Sequence, residues 1–266
     1  MSTQAVEGFR AEREAILELT KSLSDDEWNM PSDCDGWSVR DVLAHLACSL
    51  HGVVDPAFLP DMSGGTENAM EPPVAERRSW PLAEVLDEYT TYSAQAADVF
   101  AMAQEEPMAS TMLPMGELGT HPMSILAGTF LFDSYCHLRN DILQPHGPID
   151  RPEPTRDDMR LTGIMEWMLA GLPWMCPALA GLVDRPLVLA LTGPGGGTYT
   201  IAPADATSDG RVRVVEGGAA DAAATVTSTA HDFVIWGTHR RPWRTFVTVD
   251  GDDAYAAPIL DAIDII

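Results

Sequence analysis

Three features of the 266-residue sequence predict an α+β protein in two parts, a four-helix bundle followed by a smaller α+β domain with an antiparallel sheet. Apolar residues recur at helical spacing through the first 145 positions, short β-like runs replace them from residue 187 onward, and a proline-rich segment separates the two regimes.

The first helix is marked by Phe9, Ile16, Leu19 and Leu23, and the second by Val39, Val42, Leu43, Leu46 and Leu50. A third carries Leu82, Leu86, Tyr89, Ala96 and Phe100, and a fourth Leu131, Tyr135, Leu138 and Ile142. Four amphipathic helices in a chain segment of this length make a bundle the default architecture. The second helix has the clearest start: Ser38 is placed to cap it, Asp41 follows three residues later, and Trp37 can pack onto Val42 across the cap. The connections at about 54–80 and 107–121 are rich in Pro, Gly and Met, and loops of this length are usually functional lids or disordered.

Residues 144–158, QPHGPIDRPEPTRDD, hold four prolines and a glycine and predict a boundary between domains at 1–150 and 151–266. Residues 161–183 then run with Glu166 as their only charge, long enough to span a bilayer. Pro173 and Pro177 interrupt the run and no basic cluster flanks it, so it is expected to form a buried helix-turn-helix. Strands are expected at 187–191, 198–202, 211–215, 224–228 and 246–250, with helices at AHDFVIWG and at the C-terminal DDAYAAPILDAI. GPGGG at 193–197 lacks a following lysine and lies between two strands, which makes it a hairpin turn rather than a phosphate loop.

Composition narrows the partners. With 45% apolar and 21% charged residues the chain is globular rather than disordered. Sixteen basic side chains stand against 40 acidic ones, a formal charge of −24, which argues against nucleic acid and against an anionic membrane surface. Residues 1–150 carry 7 basic and 25 acidic groups, and residues 151–266 carry 9 and 15. Lys21 is the sole lysine, so a cation deployed in a site is expected to be a guanidinium, and Arg240, Arg241 and Arg244 form the densest cluster. The charged N-terminal stretch has no secretory apolar region, and Cys34, Cys48, Cys136 and Cys176 form no CxxC pair, so a cytoplasmic protein with reduced thiols is expected, as monomer or homodimer.

Asp133 and His137 stand one helical turn apart on the same face, continuing a row begun by Leu126 and Phe130. A carboxylate and an imidazole interrupting an apolar row must be satisfied by each other, by water or by a metal. His45 lies on a flank of the second helix with Asp41, Cys48 and Ser49, a position that can border a cleft. Brought together, two imidazoles and a carboxylate would leave a divalent metal with open coordination positions, zinc first and nickel, iron or manganese as alternatives. A plain His–Asp hydrogen bond beside an unrelated histidine satisfies the same spacing. Cys48 reads as a small core residue, Tyr135 as core, and Met108, Met112 and Met115 as pocket lining or plain packing.

DGWSVRDVLAHL at 35–46, followed by FDSYCHLRNDI at 132–142, resembles the DinB-like bundle of the mycothiol-dependent maleylpyruvate isomerase family. VTSTAHDFVIWGTHRRPWRTFVTVDGD at 226–252 is similar to the sterol-carrier-like second domain of that family, with its Trp-Gly, Arg-Arg-Pro and Gly-Asp elements. The resemblance implies His45, Asp133 and His137 as ligands of a divalent metal, mycothiol or a similar thiol as cosubstrate, and an arginine, Arg240 or Arg241, reaching the active site. It also implies an enzyme that isomerises or conjugates an electrophilic, anionic, unsaturated small molecule such as maleylpyruvate. Two departures stand out: the family usually has glutamate at the position of Asp133, and Thr238 and His239 are inserted between Trp-Gly and Arg-Arg. They keep two other readings in play, a ligand-binding or regulatory protein with a lost or structural metal site, and a thiol-independent biosynthetic enzyme.

Overall fold

The computed structural model describes residues 3–62 and 65–265, so residues 63 and 64 of the first long connection lie outside the described residues. Residues up to Pro114 together with His121–Thr155 form one compact unit, and Met115–Thr120 with Arg156 onward form the second. The division after Thr155 falls inside the proline-rich segment. Arg139 ties the end of that segment to the first unit, its Nη2 donating to the carbonyls of Pro154 at 3.4 Å and Thr155 at 3.3 Å.

The first unit is built on α1 (Thr3–Thr20), the short α2 (Asp25–Trp28), α3 (Val39–Val54), α4 (Thr66–Arg77), α5 (Leu82–Met102) and α6 (Leu126–Cys136). α3 packs on α5 and α4, and α1 on α6 and α5. The expected stripe of α3 is buried at every position, as are Tyr89, Ala96 and Phe100 of α5 and Leu131 and Tyr135 of α6. Phe9 meets Phe100 edge-on at 5.0 Å. Glu12 and Arg139, both fully buried, neutralise each other, and the guanidinium also lies 3.8 Å over the ring of Tyr135. A short hairpin, β1 (Met112–Pro114) with β2 (Thr120–Pro122), fills the second long connection, and α4 fills much of the first.

The second unit opens with α7 (Asp158–Met175) and α8 (Leu179–Leu182), the expected helix-turn-helix, with Pro173 confined to the last turn of α7. Among the described residues no helix is long and apolar enough to cross a membrane. A five-stranded sheet follows, made of β3 (Leu187–Thr192), β4 (Gly197–Ala202), β5 (Arg213–Glu216), β6 (Ala224–Thr229) and β7 (Thr248–Gly251) in the order β5-β4-β3-β6-β7. Every pairing is antiparallel except β3 with β6, which is parallel, Leu189 facing Val226. The β4–β5 excursion supplies the length of chain that a parallel return needs. α9 (Ala230–Trp236) packs on β3 and β6, and α10 (Asp253–Asp261) on β6 and β7. Trp236 donates its indole N–H to Ser228 Oγ at 3.1 Å, tying α9 to the strand before it. The GPGGG segment is a turn with Gly193 and Gly195 at positive φ, and the Gly195 amide donates to Asp158 Oδ1 at 2.7 Å.

Candidate metal centre

Helix α3 starts where the sequence places it. Ser38 Oγ accepts from the Asp41 amide while the Asp41 carboxylate accepts from the Ser38 backbone, a complete capping box that fixes the register of the helix and hence of His45. On α6, Asp133 faces His45 across the bundle, and His137 follows Asp133 by one turn.

His45 Nε2 and His137 Nε2 each lie 3.3 Å from the same oxygen, Asp133 Oδ1, and the two imidazoles meet at 4.8 Å and 70°. The three donor atoms lie within 4.8 Å of one another. A separation of 3.3 Å is long for a hydrogen bond, whose usual N···O distance is about 2.9–3.0 Å. It equals the edge of about 3.3 Å that bonds of roughly 2.0 Å make in a tetrahedral site. Two neutral imidazoles and a carboxylate are also the right donor chemistry for a divalent ion with positions left open. The side chains of His45 and His137 are 11% and 10% exposed and that of Asp133 25%, so the cluster opens on the carboxylate side. The donor set and its spacing therefore fit a divalent metal.

The ring of His137 is held from behind. Its Nδ1 lies 2.7 Å from Asp141 Oδ2, a carboxylate only 1% exposed, which fixes the tautomer that turns the Nε2 lone pair toward Asp133 and His45. One imidazole is thus bracketed by two carboxylates, Asp133 a turn before it and Asp141 a turn after. The chain is wound as a π-helix over His137–Ile142, with the Leu143 amide reaching back to Leu138 at 3.0 Å, a widening that recurs at functional sites. Cys34 Sγ lies 3.6 Å from the same Nδ1.

Charge is arranged to suit a cation. Burial works against the Asp133 anion, but the facing His45 and His137 outweigh it and hold the carboxyl well below the usual carboxylate range. Burial likewise opposes a charge on His137, yet Cys34, Asp133 and Asp141 together hold its imidazolium well above the ordinary 6.5. In the absence of a metal, a proton on His137 takes the cation's place. The Nδ1 of His45 is buried without a hydrogen-bond partner among the described residues.

Trp37 borders the cluster, its ring 5.2 Å from that of His45. Its indole N–H donates to Glu71 Oε2 at 2.7 Å, Arg78 holds the other Glu71 oxygen at 2.8 Å, and the Arg78 Nε reaches Asp41 at 3.1 Å. Cys48, one turn from His45, donates its thiol to the His45 carbonyl at 3.2 Å, and burial pushes that thiol up to about 12, in keeping with a small core residue. All four cysteines are free thiols. Arg240 and Arg241 belong to the second unit, on the turn between α9 and β7, both half-buried. Arg241 Nη1 donates to the Arg240 carbonyl at 2.5 Å, and Arg244 instead pairs with Asp261 at 3.1 Å. Thr238 and His239 follow the Gly237 cap of α9, Thr238 Oγ1 donating to the Val234 carbonyl at 2.8 Å and His239 taking a φ of 52°.

Sequence reasoning missed Asp141, Cys34, Glu71 and Arg78 as neighbours of the centre. Asp141 had a signal, the D-x3-H-x3-D spacing of 133, 137 and 141; the others come from segments distant in sequence.

A helical bundle with a two-His, one-Asp cluster, followed by an α+β domain, defines the class. Residues 9–137 match the family model described as the mycothiol maleylpyruvate isomerase N-terminal domain. The fold agrees over nearly the whole chain: the crystal structure of the mycothiol-dependent maleylpyruvate isomerase is similar with a TM-score of 0.59 and 15% identity, covering 94% of this chain and 96% of that one. A histidine-to-alanine mutant of that enzyme gives 0.56 and 16% over the same shares. The sterol carrier protein domain 2 of Helicoverpa armigera covers 42% of this chain at a TM-score of 0.30, too low to bear on the second unit. No curated protein matches the chain in sequence.

Proposed function

We propose that the protein is a metal-dependent enzyme that uses a low-molecular-weight thiol of the mycothiol type to isomerise an unsaturated oxo-acid such as maleylpyruvate. The observation that carries this reading is the convergence of His45 Nε2, Asp133 Oδ1 and His137 Nε2 on one point, open on the carboxylate side, within a domain that matches this family's model. A divalent ion held by these three residues, zinc on the donor types, would supply a Lewis acid that keeps a bound thiol deprotonated at neutral pH.

The chain's own residues do the rest. Asp141 holds the Nδ1 proton of His137 and so presents the Nε2 lone pair; Asp133 contributes the negative charge that two imidazoles lack. Trp37 walls one side of the cluster and is fixed there by Glu71. Arg240 or Arg241 is proposed to grip a substrate carboxylate and to stabilise the enolate oxygen that develops when the thiolate adds to the cis double bond. Rotation about the resulting single bond and expulsion of the thiolate then give the trans product.

The test is metal content beside turnover. Wild-type protein is expected to carry one equivalent of metal and His137→Ala none, and thiol-dependent isomerisation of a cis unsaturated oxo-acid should disappear in His45→Ala and in His137→Ala. Wild-type protein lacking stoichiometric metal would overturn the reading, and turnover that needs no added thiol would remove its thiol half.

A further inference from the structure

His137 has a second edge, and the residues on it have no task in the reaction beyond the orienting bond of Asp141. We propose that Cys34 Sγ, His137 Nδ1 and Asp141 form a second cation site, selective for thiophilic ions, on the opposite edge of the imidazole that faces His45 and Asp133.

The three donors lie within 4.8 Å of one another. Cys34 Sγ stands 3.6 Å from Nδ1, close to the S···N edge of about 3.5 Å that bonds of roughly 2.3 and 2.0 Å make in a tetrahedral site. Asp141 Oδ2, at 2.7 Å, makes a hydrogen bond to the same nitrogen. An ion entering here displaces the Nδ1 proton and the thiol proton, both of which pass to solvent, and the Asp141 carboxylate draws back from Nδ1 to share it. The positions are built in advance. The Asp33 amide donates to the Asp141 carbonyl at 2.9 Å and the Cys34 amide to Ser32 Oγ at 3.2 Å, so the loop bearing the thiol is fastened to the π-helical segment. His137 and Asp141 are buried while Cys34 is half-exposed, which provides an entry path at the sulfur.

The same geometry excludes a Cys-His-Asp nucleophile. Such a triad needs thiol and carboxylate on opposite ring nitrogens, and here both address Nδ1. A thiolate among the donors favours zinc, cadmium or copper(I) over magnesium or calcium. Cys48 and Cys176 offer no equivalent, since each donates its thiol to a backbone carbonyl. An ion on Nδ1 also leaves the ring's remaining proton on Nε2, so filling this site withdraws His137 from the first one.

Cadmium titrated into the metal-stripped full-length protein, followed by the ultraviolet sulfur-to-cadmium charge-transfer band, tests the proposal. The band is expected in wild type and in His45→Ala, saturating at one sulfur-bound ion per chain, and is expected to vanish in Cys34→Ser and Cys34→Ala. No band in wild type, or a band that survives in both Cys34 variants, would overturn it. A band lost in His45→Ala would also overturn it by placing the sulfur-bound ion in the first site. Zinc stoichiometry of Cys34→Ser reports the first site separately: a Cys34→Ser protein that binds no zinc counts against the metal-dependent enzyme, while the cadmium band alone decides the second site.

Discussion

His137 is the residue on which the centre turns, because every charge around it argues for a cation and only its protonation state decides which cation is present. Its pKa in the folded chain is raised well above 6.5, against the pull of burial, by Cys34, Asp133 and Asp141. A raised folded-state value means that the protonated ring stabilises the metal-free fold fully below the unfolded pKa of about 6.5. That contribution is lost as pH rises through the folded value. The metal-free protein is therefore expected to melt at progressively lower temperature as pH is raised through that window, while metal affinity rises over the same range because proton and metal compete for one imidazole. Thermal scans of chelated and zinc-loaded protein across pH check both halves; a chelated protein that gains stability with pH in that window would contradict the assignment. The cluster of His45, Asp133 and His137 was legible because Asp133 and His137 share a helix face and His45 sits on a reliably capped one. Cys34 was not legible as their neighbour, since it comes from an irregular loop whose fold leaves no periodic trace in the sequence.

At the scale of elements, α3 carries the site because its start is over-determined. Ser38 and Asp41 exchange cap hydrogen bonds, and Arg78 then pairs with the same carboxylate at 3.1 Å, so the cap fixes the helix and the network that reaches Trp37. Ser38→Ala is expected to cost about 1 kcal/mol, within the usual range of roughly 0.5–2 for such caps, measurable as a lower denaturation midpoint with an unchanged m-value. A substitution without effect on the midpoint would mean that the cap is not what sets the register of His45. The four long helices and most strands of the second unit could be read directly, because each has a period. Helix α4 could not: TENAMEPPVAER has no apolar stripe and holds Pro72 and Pro73, which read as breakers, yet it buries Met70 and Val74. The π-helical turn at His137–Ile142 was equally hidden, since an i→i+5 ladder over six residues leaves the α-like spacing of Leu138 and Ile142 nearly unchanged.

For the molecule as a whole the dominant fact is its charge of −24, with 25 acidic against 7 basic groups in residues 1–150, the part that holds the proposed metal ligands. A dianionic oxo-acid approaching that part meets a repulsive field before it meets any cation. The field acts over a Debye length of about 30 Å at 0.01 M salt and only about 8 Å at 0.15 M, whereas a guanidinium–carboxylate contact at bonding distance is screened far less. Raising ionic strength between those limits should therefore weaken the repulsion more than it weakens the proposed grip of Arg240 or Arg241. The expected result is a kcat/KM for the dianion that rises several-fold with salt, mostly through KM, while an uncharged electrophile turned over by the same thiol shows no such rise. If kcat/KM for the dianion instead fell steadily with salt, long-range attraction would have to outweigh the acidic surface, and the arginines would be steering the substrate rather than only holding it.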